Sequence, residues 1–145
     1  MTKSDELPSG MEIELDAKVE NLTLATEFIE AFLEKVDHSM KAMMQINIAI
    51  DEIFTNIASY AYSFGIGKVK LKVKMSDDPY AVVITFIDNG IPYDPLAKED
   101  PDVTLSAEDR QIGGLGIFMA KKLMDEITYE HRDGKNILVM KKILS

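Results

Sequence analysis

The 145-residue sequence has no cysteine and only two histidines. Without thiols neither a disulfide framework nor a thiolate metal site can form, and two imidazoles are too few for a histidine-based zinc cluster. A metal would therefore need oxygen ligands, which suit magnesium or calcium. Also missing is any run of about 18–20 apolar residues able to span a bilayer, and the polar start MTKSDELPSG lacks an apolar signal core. Those absences predict a cytoplasmic protein with no membrane association. Positive charge is scarce as well, with 16 Lys and Arg against 25 Asp and Glu and a formal net charge of −9. A surplus of that sign repels a phosphodiester backbone, so direct nucleic-acid binding is not expected. The nearest thing to a basic stripe is Lys68, Lys70, Lys72 and Lys74, alternating with Val69, Leu71 and Val73. Its period of two reads as a strand with one solvated face.

A content of 46% hydrophobic residues in this length is enough for one self-sufficient core. Residues 1–10 read as a disordered leader, and 11–145 as a single domain. The stretch 42–62, AMMQINIAIDEIFTNIASYAY, dominates the pattern. Ile46, Ala49, Ile50, Ile53, Ile57 and Ala61 recur at helical spacing and fall within one stripe roughly 100° wide, which predicts an amphipathic helix packed on a core. Before it, MEIELDA alternates as a strand from Met11 to Ala17. Leu24, Phe28, Ala31, Phe32 and Val36 then repeat as a helix behind a cap at Asn21 or Thr23. Asp37-His38-Ser39 reads as a short connection, with His38 at the surface. After it, Gly65 and Gly67 end the helical pattern. Strands follow over Lys68 to Met75 and Tyr80 to Ile87, joined by the turn Ser76-Asp77-Asp78-Pro79.

Residues 88–112 carry three of the five prolines and no sustained periodicity, which predicts a mobile lid. Glycines at 113, 114 and 116 then open a helix that buries Ile117, Leu123 and Met124. Two final strands, Ile127 to Arg132 and Asn136 to Ile143, flank Asp133-Gly134, a strong hairpin signal. The order β-α-α-β-β-lid-α-β-β predicts an α+β fold, with helices grouped on one face of a mixed, mostly antiparallel sheet.

Three motifs lie on that frame, each with a plain structural alternative. Glu52 and Asn56 stand four residues apart on one helix face, at the edge of the buried stripe. They are either a solvated helix edge or a carboxylate and a carboxamide reaching one ligand. In the second case Asn56 would offer oxygen to a magnesium ion and Glu52 would orient or deprotonate an attacking hydroxyl. Asp88-Asn89-Gly90 is either a hairpin turn or a strand-end carboxylate placed to accept a hydrogen bond from an exocyclic amine such as adenine's; the prolines in the following IPYDP favour the second. Gly113-Gly114-Leu115-Gly116 is either a packing device or a phosphate cradle of bare backbone N–H groups at the positive end of a helix. His131-Arg132-Asp133 copies a catalytic-loop triplet of protein kinases. The Asn expected five positions after the Asp is Leu138, and the Asp heads a tight hairpin, so the triplet reads as coincidence.

Taken together the motifs resemble a family. DEIFTNIASYAY resembles the N-box of the GHKL ATPases, and DNGIPYDP their first glycine box. RQIGGLGIFMAKKLMDEITYEHRDGKN is similar to the second glycine box of the anti-sigma factor serine kinases of bacterial partner-switching systems. One departure is Tyr60-Ala61-Tyr62, where many relatives carry His-Ala-Tyr or His-Gly-Tyr. The resemblance implies a two-layer α/β sandwich of the Bergerat type that binds ATP with Mg2+. It implies Glu52 as general base, Asn56 as magnesium ligand, Asp88 as adenine anchor and Gly90 as its neighbour under the base. Gly113, Gly114, Leu115 and Gly116 would wrap the phosphates, and Arg110 in the lid would meet the γ-phosphate or the partner. It further implies a homodimer that phosphorylates a serine on an anti-anti-sigma protein of the STAS fold and sequesters a sigma factor. The alternative is a non-catalytic module in which ATP only switches affinity for a partner.

Overall fold

The computed structural model describes residues 7–61, 67–92 and 114–144. Five strands, β1 (Met11–Asp16), β2 (Lys68–Ser76), β3 (Ala81–Asp88), β4 (Glu126–Arg132) and β5 (Lys135–Ile143), form one sheet in the order β1-β2-β3-β5-β4. All four pairings are antiparallel. Three helices, α1 (Leu22–Leu33), α2 (Met40–Asn56) and α3 (Gly114–Leu123), pack on one face, so the expected α+β sandwich is the observed one. Residues 1–6 of the expected leader, and most of the expected lid, lie outside the described residues.

Strand alternation decides which side of the sheet is core. On β2 the inward Val69, Leu71 and Val73 are each 1% exposed, and on β3 Val82, Ile84 and Phe86 follow the same phase. They meet Ile29, Phe32 and Leu33 of α1 and Ile46, Ile50, Ile53 and Phe54 of α2 in a single cluster. Each such side chain contributes roughly 1.5–3 kcal/mol relative to exposure, so this layer is what fixes α2 over the sheet. The outward phase carries the lysines. Lys68, Lys70 and Lys72 stand opposite Asp16, Glu14 and Glu12 of β1; Lys68 is ion-paired with Asp16, and Lys72 lies 3.9 Å from Glu12. The basic stripe is therefore a sheet face whose charge is met by the neighbouring strand.

Several local signals act differently from their expected form. α2 begins at Met40, directly after the expected Asp37-His38-Ser39 connection, and Ser39 turns out to be its N-cap, with its Oγ accepting the Ala42 N–H at 3.0 Å. Asn21 precedes α1 without capping it; its Nδ2 donates to the Asp16 carbonyl at 2.9 Å and ties the helix entry to β1. Thr23 lies inside α1. After Asn56 the helix widens into a π-helical turn over Ile57–Ala61, a distortion that often accompanies functional positions. The Asp133-Gly134 hairpin forms as expected, with both residues at positive φ (55° and 76°), as a primed turn requires. His131-Arg132-Asp133 thus runs into a reversal of the chain.

Candidate active site

Asp88 is the last residue of β3 and continues the inward phase of Val82, Ile84 and Phe86, so its carboxylate faces the helix layer and is 4% exposed. Two donors converge on Oδ1: the Gly90 N–H at 2.8 Å and Nδ2 of Asn136 at 2.9 Å. The first closes an Asx-type turn that carries the chain off the sheet. Since β3 pairs only with β2 and β5 among the described residues, Asp88-Asn89-Gly90 is a strand exit and not a hairpin. No described residue donates to Oδ2. Burial pushes the Asp88 carboxyl above the usual range, while the Asn136 amide, the Gly90 N–H and the charge of His131 pull it back.

Asn136 was not among the sequence candidates. Cross-strand register places it opposite Asp88, and its Nδ2 also faces the carbonyls of Ile91 at 2.9 Å and Gly90 at 3.4 Å. Its own Oδ1 accepts from the Tyr129 hydroxyl. The signal that could have found it is phase: Asn136 occupies the inward row of β5 with Leu138 and Met140, where a polar side chain must have a reason to be.

The second cluster is on α2. Asn56 is 4% exposed and Glu52 is half-buried, so the pair is not a solvated helix edge. Nδ2 of Asn56 donates to the Glu52 carbonyl one turn earlier at 2.6 Å. That bond engages one N–H of the amide and fixes its orientation, leaving the oxygen buried with no partner among the described residues. An unsatisfied buried acceptor costs about 1–3 kcal/mol, and an incoming donor or cation would relieve it. Asn47 Oδ1, at the α1 side of the same helix, shares this property, and its Nδ2 is tied to the Glu30 carboxylate at 3.1 Å. Burial raises the Glu52 carboxyl above its ordinary value, with the like charge of Asp51 adding to the effect.

An amide oxygen in this state fits magnesium, which takes few protein ligands and keeps waters and phosphate oxygens for the rest. No three carboxylates or imidazoles converge among the described residues, so a cation here would draw most of its shell from outside the protein. Replacing Asn56 by Leu keeps the volume and removes the orphaned oxygen. The variant should unfold at the same temperature as the parent or slightly above it. Its nucleotide affinity should lose its dependence on magnesium, measured by calorimetry with and without the metal.

The third motif stands at the start of α3. Gly114, Leu115 and Gly116 form its first turn, and α3 packs along α2, the helix bearing Glu52 and Asn56. Exposed N–H groups at that end carry partial positive charge and suit phosphate. Gly113 and Arg110 lie outside the described residues. The structure thus joins Asp88 to Gly90 and Glu52 to Asn56; no hydrogen bond links the pairs among the described residues. A groove of about 450 Å³ lined by Met11, Lys72, Lys74, Val83 and Thr85 is on the opposite, open face and is separate from this site.

The chain is similar to several known proteins. The serine-protein kinase RsbW of Bacillus cereus strain Q1 is 26% identical over 137 residues, covering 92% of this chain and 84% of that protein. The serine/threonine-protein kinase BtrW of Bordetella bronchiseptica is 27% identical over 128 residues, covering 88% and 89%. Among solved structures, the RsbU and RsbW domains of Rv1364c from Mycobacterium tuberculosis superimpose with a TM-score of 0.67 at 18% identity, over 94% of this chain and 33% of that one. The histidine kinase domain of the blue-light activated EL346 of Erythrobacter litoralis does so with a TM-score of 0.57 at 17% identity, over 90% and 62%. Those two likenesses concern the fold alone. A family profile described as the histidine kinase-like ATPase domain matches residues 15–142, a span that includes α2, the Asp88 turn and Asn136. By that match the chain belongs to the histidine kinase-like ATPase domain family.

Proposed function

We propose that this protein is a serine-protein kinase of the anti-sigma type. It binds ATP with Mg2+ and moves the γ-phosphoryl group to a serine hydroxyl of a STAS-fold anti-anti-sigma partner. The observation that carries this reading is the α2 pair: a half-buried carboxyl held above its ordinary range, one turn from a buried amide oxygen that lacks a partner. A site that only sensed ATP would have use for the second feature but not for the first. In transfer, the serine oxygen bonds to phosphorus, the bond from phosphorus to the bridging oxygen breaks, the serine proton passes to Glu52 and ADP leaves. A magnesium ion on the phosphates would supply charge neutralisation, and Asn56 is the residue here that would hold it. Asp88 would take the adenine amine, Gly90 would pass under the base, and Gly113, Gly114, Leu115 and Gly116 would cradle the phosphates. Arg110 would reach the γ-phosphate or the partner. The names of the relatives support kinase activity.

The proposal extends to a cytoplasmic homodimer that holds a sigma factor while the partner is phosphorylated. Among the described residues, no helix is long and apolar enough to cross a membrane. The test is incubation with magnesium, ATP and a STAS-domain protein encoded beside the gene, followed by mass spectrometry of the partner. One added phosphate on a serine is the expected result. ATP binding without transfer would instead make the protein a nucleotide-gated switch, and absence of nucleotide binding would remove both readings.

A further inference from the structure

The outward side of α2 carries a row of side chains that the core does not explain. Met40, Met44, Ile48, Glu52 and Asn56 follow one another at intervals of four, so they form a single ridge along the helix. Four residues turn an α-helix by about 400°, and each member of the ridge therefore lies roughly 40° further round than the last. Exposure falls in step: 68% at Met40, 59% at Met44, 41% at Ile48, half-buried at Glu52 and 4% at Asn56. The ridge begins in solvent and ends inside the site. On its other side α2 already buries Ile46, Ala49, Ile50, Ile53 and Phe54, and a helix with that stripe satisfied ordinarily turns polar residues outward. Here three of the eight large hydrophobic side chains exposed among the described residues stand in one row. Lys41 and Asp51, both exposed, flank it. An apolar track with a charged rim has the anatomy of a protein interface.

We infer that Met40, Met44 and Ile48 are the docking track for the phosphoacceptor protein, which carries an aliphatic patch beside its serine to meet them. The inference rests on the reading of Glu52 as the base of a protein kinase. A serine hydroxyl then has to come within hydrogen-bond reach of that carboxyl. Past Glu52 the ridge is closed at Asn56, and α3, with its proposed phosphate cradle, packs along α2. The acceptor therefore arrives from the exposed end, over Ile48. At about 1.5 Å per residue, Met40 lies roughly 18 Å from Glu52 along the helix axis. A specific interface covers about 800 Å² on each partner, a patch roughly 30 Å across, so a protein that sets its serine at Glu52 overlies the whole row. The track is continuous with the place where acceptor and kinase must touch. Two of its three members are methionines, whose unbranched side chains repack against an incoming surface. These residues select the acceptor and touch neither nucleotide nor reacting atoms.

The test measures phosphate transfer from magnesium-ATP to the STAS-domain protein encoded beside the gene, at varied concentrations of that protein, with calorimetry of ATP binding alongside. The full chain is compared with a double variant, Met44→Gln with Ile48→Gln, and with a conservative one, Met44→Leu with Ile48→Leu. Gln keeps a straight helix-forming side chain and removes the apolar surface. In the Gln pair KM for the acceptor should rise by roughly 10- to 100-fold, the scale of losing interface anchors, while kcat and ATP affinity stay at the parent's values. The Leu pair should keep the parent's KM. A merely structural role would lower kcat or ATP affinity together with acceptor binding, and that result overturns the inference, as does an unchanged KM in the Gln pair. If the Gln pair does not fold, Met40→Gln, at the most exposed position, decides by the same KM. A Gln pair that changes from dimer to monomer in sedimentation, with KM unaltered, would show the ridge to be covered by a second copy and overturn the inference. Loss of acceptor recognition alone leaves the kinase reading intact, whereas a parent that transfers no phosphate removes that reading and the docking track with it.

Discussion

Replacing Asp88 by Asn should weaken ATP binding by about 100-fold and at the same time raise the unfolding temperature. The first effect follows, on the proposed reading of Asp88 as the adenine anchor, from losing a charged acceptor. Hydrogen bonds to charged groups contribute roughly 1.5–3 kcal/mol, or about 10- to 150-fold in affinity, and the amide nitrogen of an Asn turned outward would oppose the adenine amine with a second donor. The second effect follows from burial. The native carboxyl titrates above its ordinary 3.8 because desolvation outweighs the donors around it. The folded state therefore binds this proton more readily than the unfolded state. The stabilisation from protonating Asp88 is full below 3.8 and is lost as pH rises through the raised native value, so at neutral pH the parent carries the cost of a buried charge. Asn carries no charge, and its Oδ1 can still accept from the Gly90 N–H and Asn136. Thermal unfolding of the two proteins from pH 3 to pH 8 should show the variant ahead at neutral pH, with the gap closing under acid conditions. A variant less stable than the parent at pH 7 would mean that Asp88 holds the turn together more than burial opposes it.

How far these features could be read from the sequence depends on how local their causes are. The stripe on α2, the lysine row of β2 and the Asp133-Gly134 turn were legible because each is a repeat or dipeptide acting over a few residues. Helix starts were less so. A short polar side chain can cap a helix or bond elsewhere: Ser39 takes the Ala42 N–H of its own helix, whereas Asn21 is drawn to the Asp16 carbonyl of β1. Asn136 was invisible as a site residue because its importance comes from register: it meets Asp88 across the β3–β5 ladder, 48 positions away in the chain. The widening of the helix after Asn56 likewise has no local signature in IASYA. Glu52 and Asn56 were legible as a pair from their spacing. Only packing, which buried the amide oxygen and half-buried the carboxyl, separates them from an ordinary helix edge.

Replacing Glu52 by Gln should lower phosphoryl transfer by roughly 10²- to 10⁴-fold, the range for loss of a general base, while ATP affinity changes by no more than a few-fold. The substitution keeps the side-chain size, and the amide that packs beside it uses the Glu52 backbone carbonyl, which the variant retains. Binding and chemistry are therefore separable at this position, and calorimetry beside a single-turnover transfer assay reads both. The pH dependence gives an independent check. Burial first, and then the charge of Asp51, hold the Glu52 carboxyl above 4.5, so the base is disabled by protonation at a higher pH than an exposed glutamate would be. The acid limb of the rate should accordingly lie above that value in the parent. In Asp51→Asn it should move to lower pH, because the like charge is gone while the burial remains. Equal transfer rates in the parent and Glu52→Gln, or an acid limb that ignores Asp51→Asn, would take the proton-accepting role away from Glu52 and leave α2 with the amide proposed to hold the metal as its only chemical contribution.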